Sequence, residues 1–187
     1  AYHPKAPRIF NGEIFYEPLT TTAPPTPAPS LHSPASVRSD VSVMVSTGAN
    51  GATKVFQTTF ASNNGYAGNL FTIEAKGTDV VIETFDLNAG TTESVEVKIF
   101  TKFGDFNRND IDPASNWIEI CSTKVDGKGE SVPTHVPAQA VKSVAIKADD
   151  RQSFYVTFSG PFMRYTSALL DPNYLGNEHV GTLSTSA

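Results

Sequence analysis

The stretch Asp105-Phe106-Asn107-Arg108-Asn109-Asp110-Ile111-Asp112 carries the most metal-like spacing in the chain. Side-chain oxygens on Asp105, Asn107, Asn109, Asp110 and Asp112 suit calcium, a hard cation that takes oxygen ligands. As an EF-hand loop the stretch fails: its sixth position is Asp110 instead of Gly, and its twelfth is Asn116 instead of Glu. A solvated turn whose Asn and Asp side chains cap their own backbone accounts for the same residues. That is the preferred reading, with a calcium site as the alternative. The four histidines, His3, His32, His135 and His179, lie far apart and form no HExxH or His-x-His pattern, so no zinc site is expected. No Gly-x-Ser-x-Gly elbow occurs. Cys121, the single cysteine, falls on an expected strand and reads as a small buried hydrophobe. Glu74, Glu83, Glu96 and Glu119 read as outward, solubilising charges on strands. No catalytic residue and no cofactor is assigned, and the chain is not expected to be an enzyme.

Two other groups of residues could make contacts. Trp117 with Tyr66, Tyr155, Tyr165 and Tyr174 could form a platform on which sugar rings stack, although core packing is the commoner use of such side chains. The second group lies in the first 36 residues, which hold two short apolar patches, Ile9-Phe10 and Ile14-Phe15-Tyr16, ahead of a Pro/Thr/Ser-rich spacer at 19–36. Eight of the thirteen prolines fall in this region. Proline fixes φ and removes a backbone donor, so the region is expected to be extended or polyproline II. Such a tail gains order only by lying on something, either its own domain or a neighbouring copy, and the reading takes the neighbour. Ile9, Phe10, Ile14, Phe15 and Tyr16 are then the candidate subunit-interface residues. Ser and Thr beside Pro is the composition of O-glycosylated stalks. The candidate positions are Thr20, Thr21, Thr22, Thr26, Ser30 and Ser33, with Pro24, Pro25, Pro27 and Pro29 if hydroxylated. No Asn-x-Ser/Thr sequon occurs.

The elements that must carry these residues are strands. From Val37 the apolar pattern has period two, starting with Val41, Val43 and Val45. Further strands are expected at 53–60, 69–75, 79–87 (Val80, Ile82 and Phe85 facing one way), 93–101 (Val95, Val97, Ile99), 116–125, 141–146, 152–159 (Phe154, Val156, Phe158), 162–166 and 178–183. Gly, Asn and Asp turns separate them, and Ser62-Asn63-Asn64-Gly65 is the strongest turn signal. No window of ten or more residues has helical periodicity. The expected fold is an all-β sandwich, jelly-roll-like or immunoglobulin-like, over residues 37–187, preceded by an extended N-terminal arm over 1–36.

Composition narrows the partners. The 187 residues carry a net charge of −5 with scattered Lys and Arg, so there is no basic stripe for nucleic acid. No apolar run approaches the roughly 20 residues of a membrane-spanning helix. The chain opens on Ala1, as a processed protein would. Abundant Thr, Ser, Ala, Gly and Pro with only 18% charged residues suits an extracellular or cell-surface location.

Several stretches carry a resemblance: Ala67-Gly-Asn-Leu-Phe-Thr-Ile-Glu-Ala-Lys-Gly77, Ile82-Glu-Thr-Phe-Asp-Leu87, Val95-Glu-Val-Lys-Ile-Phe-Thr101, Ser153-Phe-Tyr-Val-Thr157 and Arg164-Tyr165-Thr166. Over about residues 65–166 the chain resembles a β-rich domain that recurs in secreted and surface proteins of algae such as diatoms. The tailed form is similar, more loosely, to subunits of extracellular fibrils in which an N-terminal arm reaches into the next subunit. These likenesses imply a β-rich fold and an extracellular compartment, and they imply no activity.

The functional expectation is a structural protomer of an extracellular filament. Its arm would add Arg8–Asn11 and Glu13–Tyr16 to a neighbour's sandwich by β-strand addition, a head-to-tail contact that propagates if its rotation does not close. The 18-residue spacer at about 3.1 Å per residue spans roughly 55 Å in polyproline II, enough to reach an adjacent subunit. The partner is the chain itself, as a homopolymer, with O-linked glycans on the spacer. The alternative is a secreted carbohydrate-binding or adhesive module on a glycosylated stalk.

Overall fold

The computed structural model describes residues 8–19, 52–106, 116–167, 175–176 and 180–183. Fourteen strands are found there: β1 Arg8–Phe10, β2 Gly12–Pro18, β3 Lys54–Gln57, β4 Asn64–Tyr66, β5 Gly68–Ala75, β6 Val80–Asn88 and β7 Ser94–Phe103 in the first half. They are followed by β8 Ile118–Asp126, β9 Pro133–His135, β10 Val144–Ile146, β11 Arg151–Phe158, β12 Met163–Ser167, β13 Leu175–Gly176 and β14 Val180–Leu183. A single 3-10 turn at Ala138–Ala140 is the one helical element among the described residues. The fold is therefore all-β, as the period-two pattern predicts.

Two sheets make the sandwich, and every strand pair in them is antiparallel. One has the order β13-β14-β5-β11-β7-β8, the other β10-β6-β2-β3 with β9 also paired to β6. A third, three-stranded sheet, β1-β12-β4, adds Phe10 and Met163 to the same core. The core forms because successive side chains on a strand point to opposite faces. On β7, buried Val95, Val97 and Ile99 alternate with Glu96, Lys98 and Phe100, and on β11 Phe154, Val156 and Phe158 turn inward. Facing them across the sandwich are Ile14 and Tyr16 of β2, Phe56 of β3, and Val80, Ile82, Phe85 and Leu87 of β6. Each such large side chain contributes about 1.5–3 kcal/mol when fully buried.

The inward set on β6 changes phase, from Val80 and Ile82 to Phe85 and Leu87. A β-bulge is the cause. Phe15 pairs with Thr84 and Tyr16 with Ile82, which leaves Glu83 as the extra residue on β6.

Three sequence expectations meet a different arrangement. Asn63-Asn64-Gly65 does not form a hairpin turn: Asn64–Tyr66 is strand β4, paired with Met163–Tyr165. A Cβ on Gly65 would lie 2.8 Å from the Arg164 guanidinium, whose flexible end can shift, and 3.3 Å from the Met163 carbonyl oxygen. The strand at 116–125 begins two residues later, at Ile118, after Asn116 takes a left-handed φ of 59°. Finally, residues 1–36 are not set wholly apart from a sandwich at 37–187. Arg8–Phe10 and Gly12–Pro18 are strands of this chain's own sandwich. The strand expected at Val41–Val45, the spacer beyond Leu19 with all its glycosylation candidates, and Asn107, Asn109, Asp110 and Asp112 lie outside the described residues.

Candidate functional site

The first strand segment of the chain is built as an insert. β1 runs antiparallel to β12, with Ile9 opposite Thr166 and Phe10 opposite Tyr165. At Asn11–Gly12 the chain changes sheets, and β2 then enters between β6 and β3. The crossing needs a glycine: a Cβ on Gly12 would overlap the Asp86 carbonyl oxygen and the Phe10 ring. Thr58 holds the corner. Its hydroxyl donates to the Phe10 carbonyl at 2.6 Å and accepts from the Gly12 N–H at 3.0 Å, while its own N–H donates to the Gly12 carbonyl at 3.0 Å. Asn11 is fully buried at the crossing; its Nδ2 donates to the Ala61 carbonyl at 3.2 Å and its Oδ1 lies 3.1 Å from the Thr166 hydroxyl. At the far end, the Leu19 N–H donates to the Asp79 carbonyl at 2.8 Å. Buried backbone polar groups need partners, and the seat supplies them from one end of the strand to the other.

Of the five interface candidates, Phe10, Ile14 and Tyr16 are buried completely, while Ile9 and Phe15 are half-buried. Alternation explains the split on β2, because Glu13, Phe15 and Glu17 share the outer face. Phe10 completes an aromatic cluster that ties the two sheets together. Its ring stacks on Phe71 with centroids 4.2 Å apart and meets Phe85 edge-on at 6.5 Å, and both partners contact Phe154. Among the described strands β3 pairs with β2 alone, so the insert also holds β3 in the sheet.

Sequence reasoning missed the outer face of this insert. Glu13 stands opposite Gln57 on β3 and Asp86 on β6, and Asp86 stands opposite His135 on β9. His135 Nδ1–H donates to Asp86 Oδ1 at 2.6 Å, and the Phe15 ring lies edge-on to the imidazole at 5.9 Å. Burial, then the adjacent Asp86 charge and a hydrogen bond to Asp86, push the Glu13 carboxyl above its ordinary value of 4.5. No sequence motif announces this row, since its members are dozens of positions apart and meet only through strand pairing.

The other candidates are scattered. Asp105 of the calcium-like stretch is ion-paired with Arg151 at 3.1 Å. Among the described residues, no group of three or more His, Cys, Asp or Glu could hold a metal ion. Glu74 pairs with Arg151, Glu96 with Lys98, and Glu83 accepts from Thr53; Glu119 is exposed. Cys121 is buried, and burial, with Glu119 nearby, pushes its thiol up. The proposed sugar platform divides. Trp117 and Tyr155 meet at 6.3 Å and are joined by Phe100, which lies 6.0 Å from Tyr155, whereas Tyr165 is core, Tyr66 is exposed on β4, and Tyr174 lies outside the described residues. No described helix is long and apolar enough to cross a membrane.

Compared with protein-family models, with curated proteins and with solved structures, the chain has no match.

Proposed function

We propose that this protein is the structural protomer of an extracellular filament, in which residues 8–18 leave their own sandwich and occupy the same seat in a neighbouring copy. One observation carries the reading: the mismatch between how β2 is seated and how it is tethered. Tyr16 pairs directly with Lys54, so β2 and β3 are neighbours. When two consecutive antiparallel strands form a hairpin, the loop between them is ordinarily about 2–5 residues. Here 35 residues separate Pro18 from Lys54, and they include the Pro-rich spacer. A tether of that length is needless for closing a hairpin and sufficient for reaching another subunit. Exchange preserves every contact of the seat, so its main costs are linker strain and lost freedom, the terms that govern domain swapping. A head-to-tail exchange continues from copy to copy unless its rotation closes a ring. The Ser, Thr and Pro of the tether suit an O-glycosylated, exposed connection outside the cell.

The test replaces residues 20–51 with a five-residue loop. That chain can still seat its own arm but cannot reach a neighbour's. Negative-stain imaging and mass measurement are expected to find polymers for the full chain and monomers for the shortened one. Monomers of both at every concentration would refute the proposal.

A second reading, a carbohydrate-binding module, is favoured by the outer face of β7 and β11. The Phe100 and Tyr155 rings are within 23° of parallel yet 6.0 Å apart, too far for face-to-face contact, so they lie offset and present a broad shared surface. The next row, Lys98 opposite Thr157, lines a shallow surface cleft of about 210 Å³ with Glu96, Phe158 and Ser159. Saturable binding on a glycan array that is lost in Tyr155→Ala would support this reading, and binding unchanged by that substitution would remove it.

A further inference from the structure

We propose that the row Glu13–Asp86–His135 is a proton-sensitive latch on the arm, so that acid tightens the seated strand and neutral pH loosens it. The inference rests on the reading that the arm is the element that docks and undocks, and it concerns the chemistry of that one seat.

The geometry puts a carboxyl carried by the arm directly across from a carboxylate belonging to the body. Glu13 is opposite Asp86 in the β2–β6 pairing, and Asp86 is itself nearly buried. Two carboxylates side by side repel unless one keeps a proton and donates it to the other. The groups facing Glu13 are the neutral Gln57 amide from β3, Asp86 from β6 and, beyond it, His135 from β9; Phe15 on the arm itself covers the imidazole edge. His135 already gives its Nδ1–H to Asp86 Oδ1 at 2.6 Å, which fixes Asp86 as the accepting partner. Glu13 then completes the row as a second donor to Asp86, and it can do so only in its neutral form. Glu13 also fixes the register: a slip of one residue would turn its carboxyl into the core and Ile14 out.

The direction of the pH effect follows. The seated carboxyl titrates above 4.5, the ordinary glutamate value that a released arm would have. The seated state therefore holds a proton that the released state gives up. This contribution is fully present below 4.5 and is lost as pH rises through the raised value. Above it, seating the arm places two negative charges together in a partly desolvated site.

The test is amide hydrogen exchange on the full chain between pH 4.5 and 8, corrected for intrinsic exchange. Protection of Ile14 and Tyr16 is compared with that of Val97 and Val156 in the opposite sheet. In the unaltered chain the arm is expected to lose protection relative to the opposite sheet as pH rises across that range. Glu13→Gln keeps an N–H donor for Asp86 but carries no titrating proton, so its arm protection is expected to change less with pH than that of the unaltered chain. Asp86→Asn removes the charge from the other side and is expected to flatten the profile as well. Equal pH profiles for the unaltered chain and Glu13→Gln would overturn the latch. The readout is taken inside the folded chain and needs no polymer. A pH-dependent arm in a chain that stays monomeric would leave the latch standing and remove only the filament reading.

Discussion

β2 and β7 are alike in pattern and unlike in attachment. Each strand alternates buried and outward residues, Ile14 and Tyr16 against Glu13, Phe15 and Glu17 in one, Val95, Val97 and Ile99 against Glu96, Lys98 and Phe100 in the other. Each has a neighbour on both sides, β6 and β3 for β2, β11 and β8 for β7. β7 is continuous with β8 through fourteen intervening residues and crosses directly from β6 through five. Among the described strands only β1 precedes β2, and 35 residues separate Pro18 from Lys54 of β3. β2 also carries one member of a carboxylate pair, Glu13 opposite Asp86, where β7 has a Lys98–Glu96 ion pair. Burial determines how much a strand contributes to stability, while connectivity determines whether it can be lost and replaced without unfolding the rest. Both strands are interior to their sheets, and the proposed exchange requires that β2 be withdrawn and replaced by its counterpart from another copy.

The largest predicted effect separates seating from folding. Gly12→Val places a side chain where the Asp86 carbonyl and Phe10 ring already stand, so the arm cannot seat in any copy. Fibres are expected to disappear by negative-stain imaging, and the amides of β2 are expected to lose protection far more than those of β7. Equal loss in both strands would erase the distinction drawn here. Next come the aromatic truncations. Phe10→Ala and Phe154→Ala both open the same cluster and should each cost about 3–5 kcal/mol in denaturant unfolding. The comparison predicts that β2 amides open at lower free energy than β7 amides in Phe10→Ala, whereas in Phe154→Ala both strands are weakened together. Asn11→Ala follows, at about 0.5–1.5 kcal/mol, because it removes one buried hydrogen bond at the sheet crossing while the Thr166 hydroxyl still donates to the Ala61 carbonyl. The smallest effect is at the far end of the seat. The Lys147 ammonium and the Ala148 N–H hold the Asp79 carboxyl below its ordinary 3.8. Its contribution is present above 3.8 and fades as pH falls through the depressed value, so Asp79→Asn should flatten the acid limb of the unfolding profile only slightly.

Much of the fold was legible because alternation is a local signal. Val95-x-Val97-x-Ile99 and Phe154-x-Val156-x-Phe158 specify strands and their inner faces without reference to any partner. The sequence put Val80, Ile82 and Phe85 on one face, and the bulge that lets them share it shows only in the pairing of β6 with β2. The five arm residues stood out as two contiguous apolar patches in a Pro-rich stretch, not by alternation. What was not legible depends on pairing across long separations. Asn64-Gly65 reads as a turn by composition, yet it lies in strand β4, paired with residues almost a hundred positions later. Glu13, Asp86 and His135 carry no shared motif, and Phe100 looks like one more alternating residue until β11 brings Tyr155 beside it. The seat of the arm was legible as a need of the arm, a sheet edge with pockets. Its location in this chain's own β6 and β12 was not, since nothing local ties residues 8–18 to residues 80–88 and 163–167.

The central claim is that one chain's β2 can sit in another chain's sandwich, and a disulfide can record it. Phe15 and Val55 lie directly opposite on the outer face of β2 and β3, and the native Cys121 is buried away from them. Chains carrying Phe15→Cys and Val55→Cys would be prepared in heavy-isotope and ordinary forms, mixed under assembly conditions, oxidised, and digested for mass spectrometry. The account predicts disulfide-linked peptides that join a heavy arm to a light β3 and the reverse. Disulfides found only between peptides of the same isotopic composition, in samples that assemble or not, would show that the arm never leaves its own chain and would contradict the account.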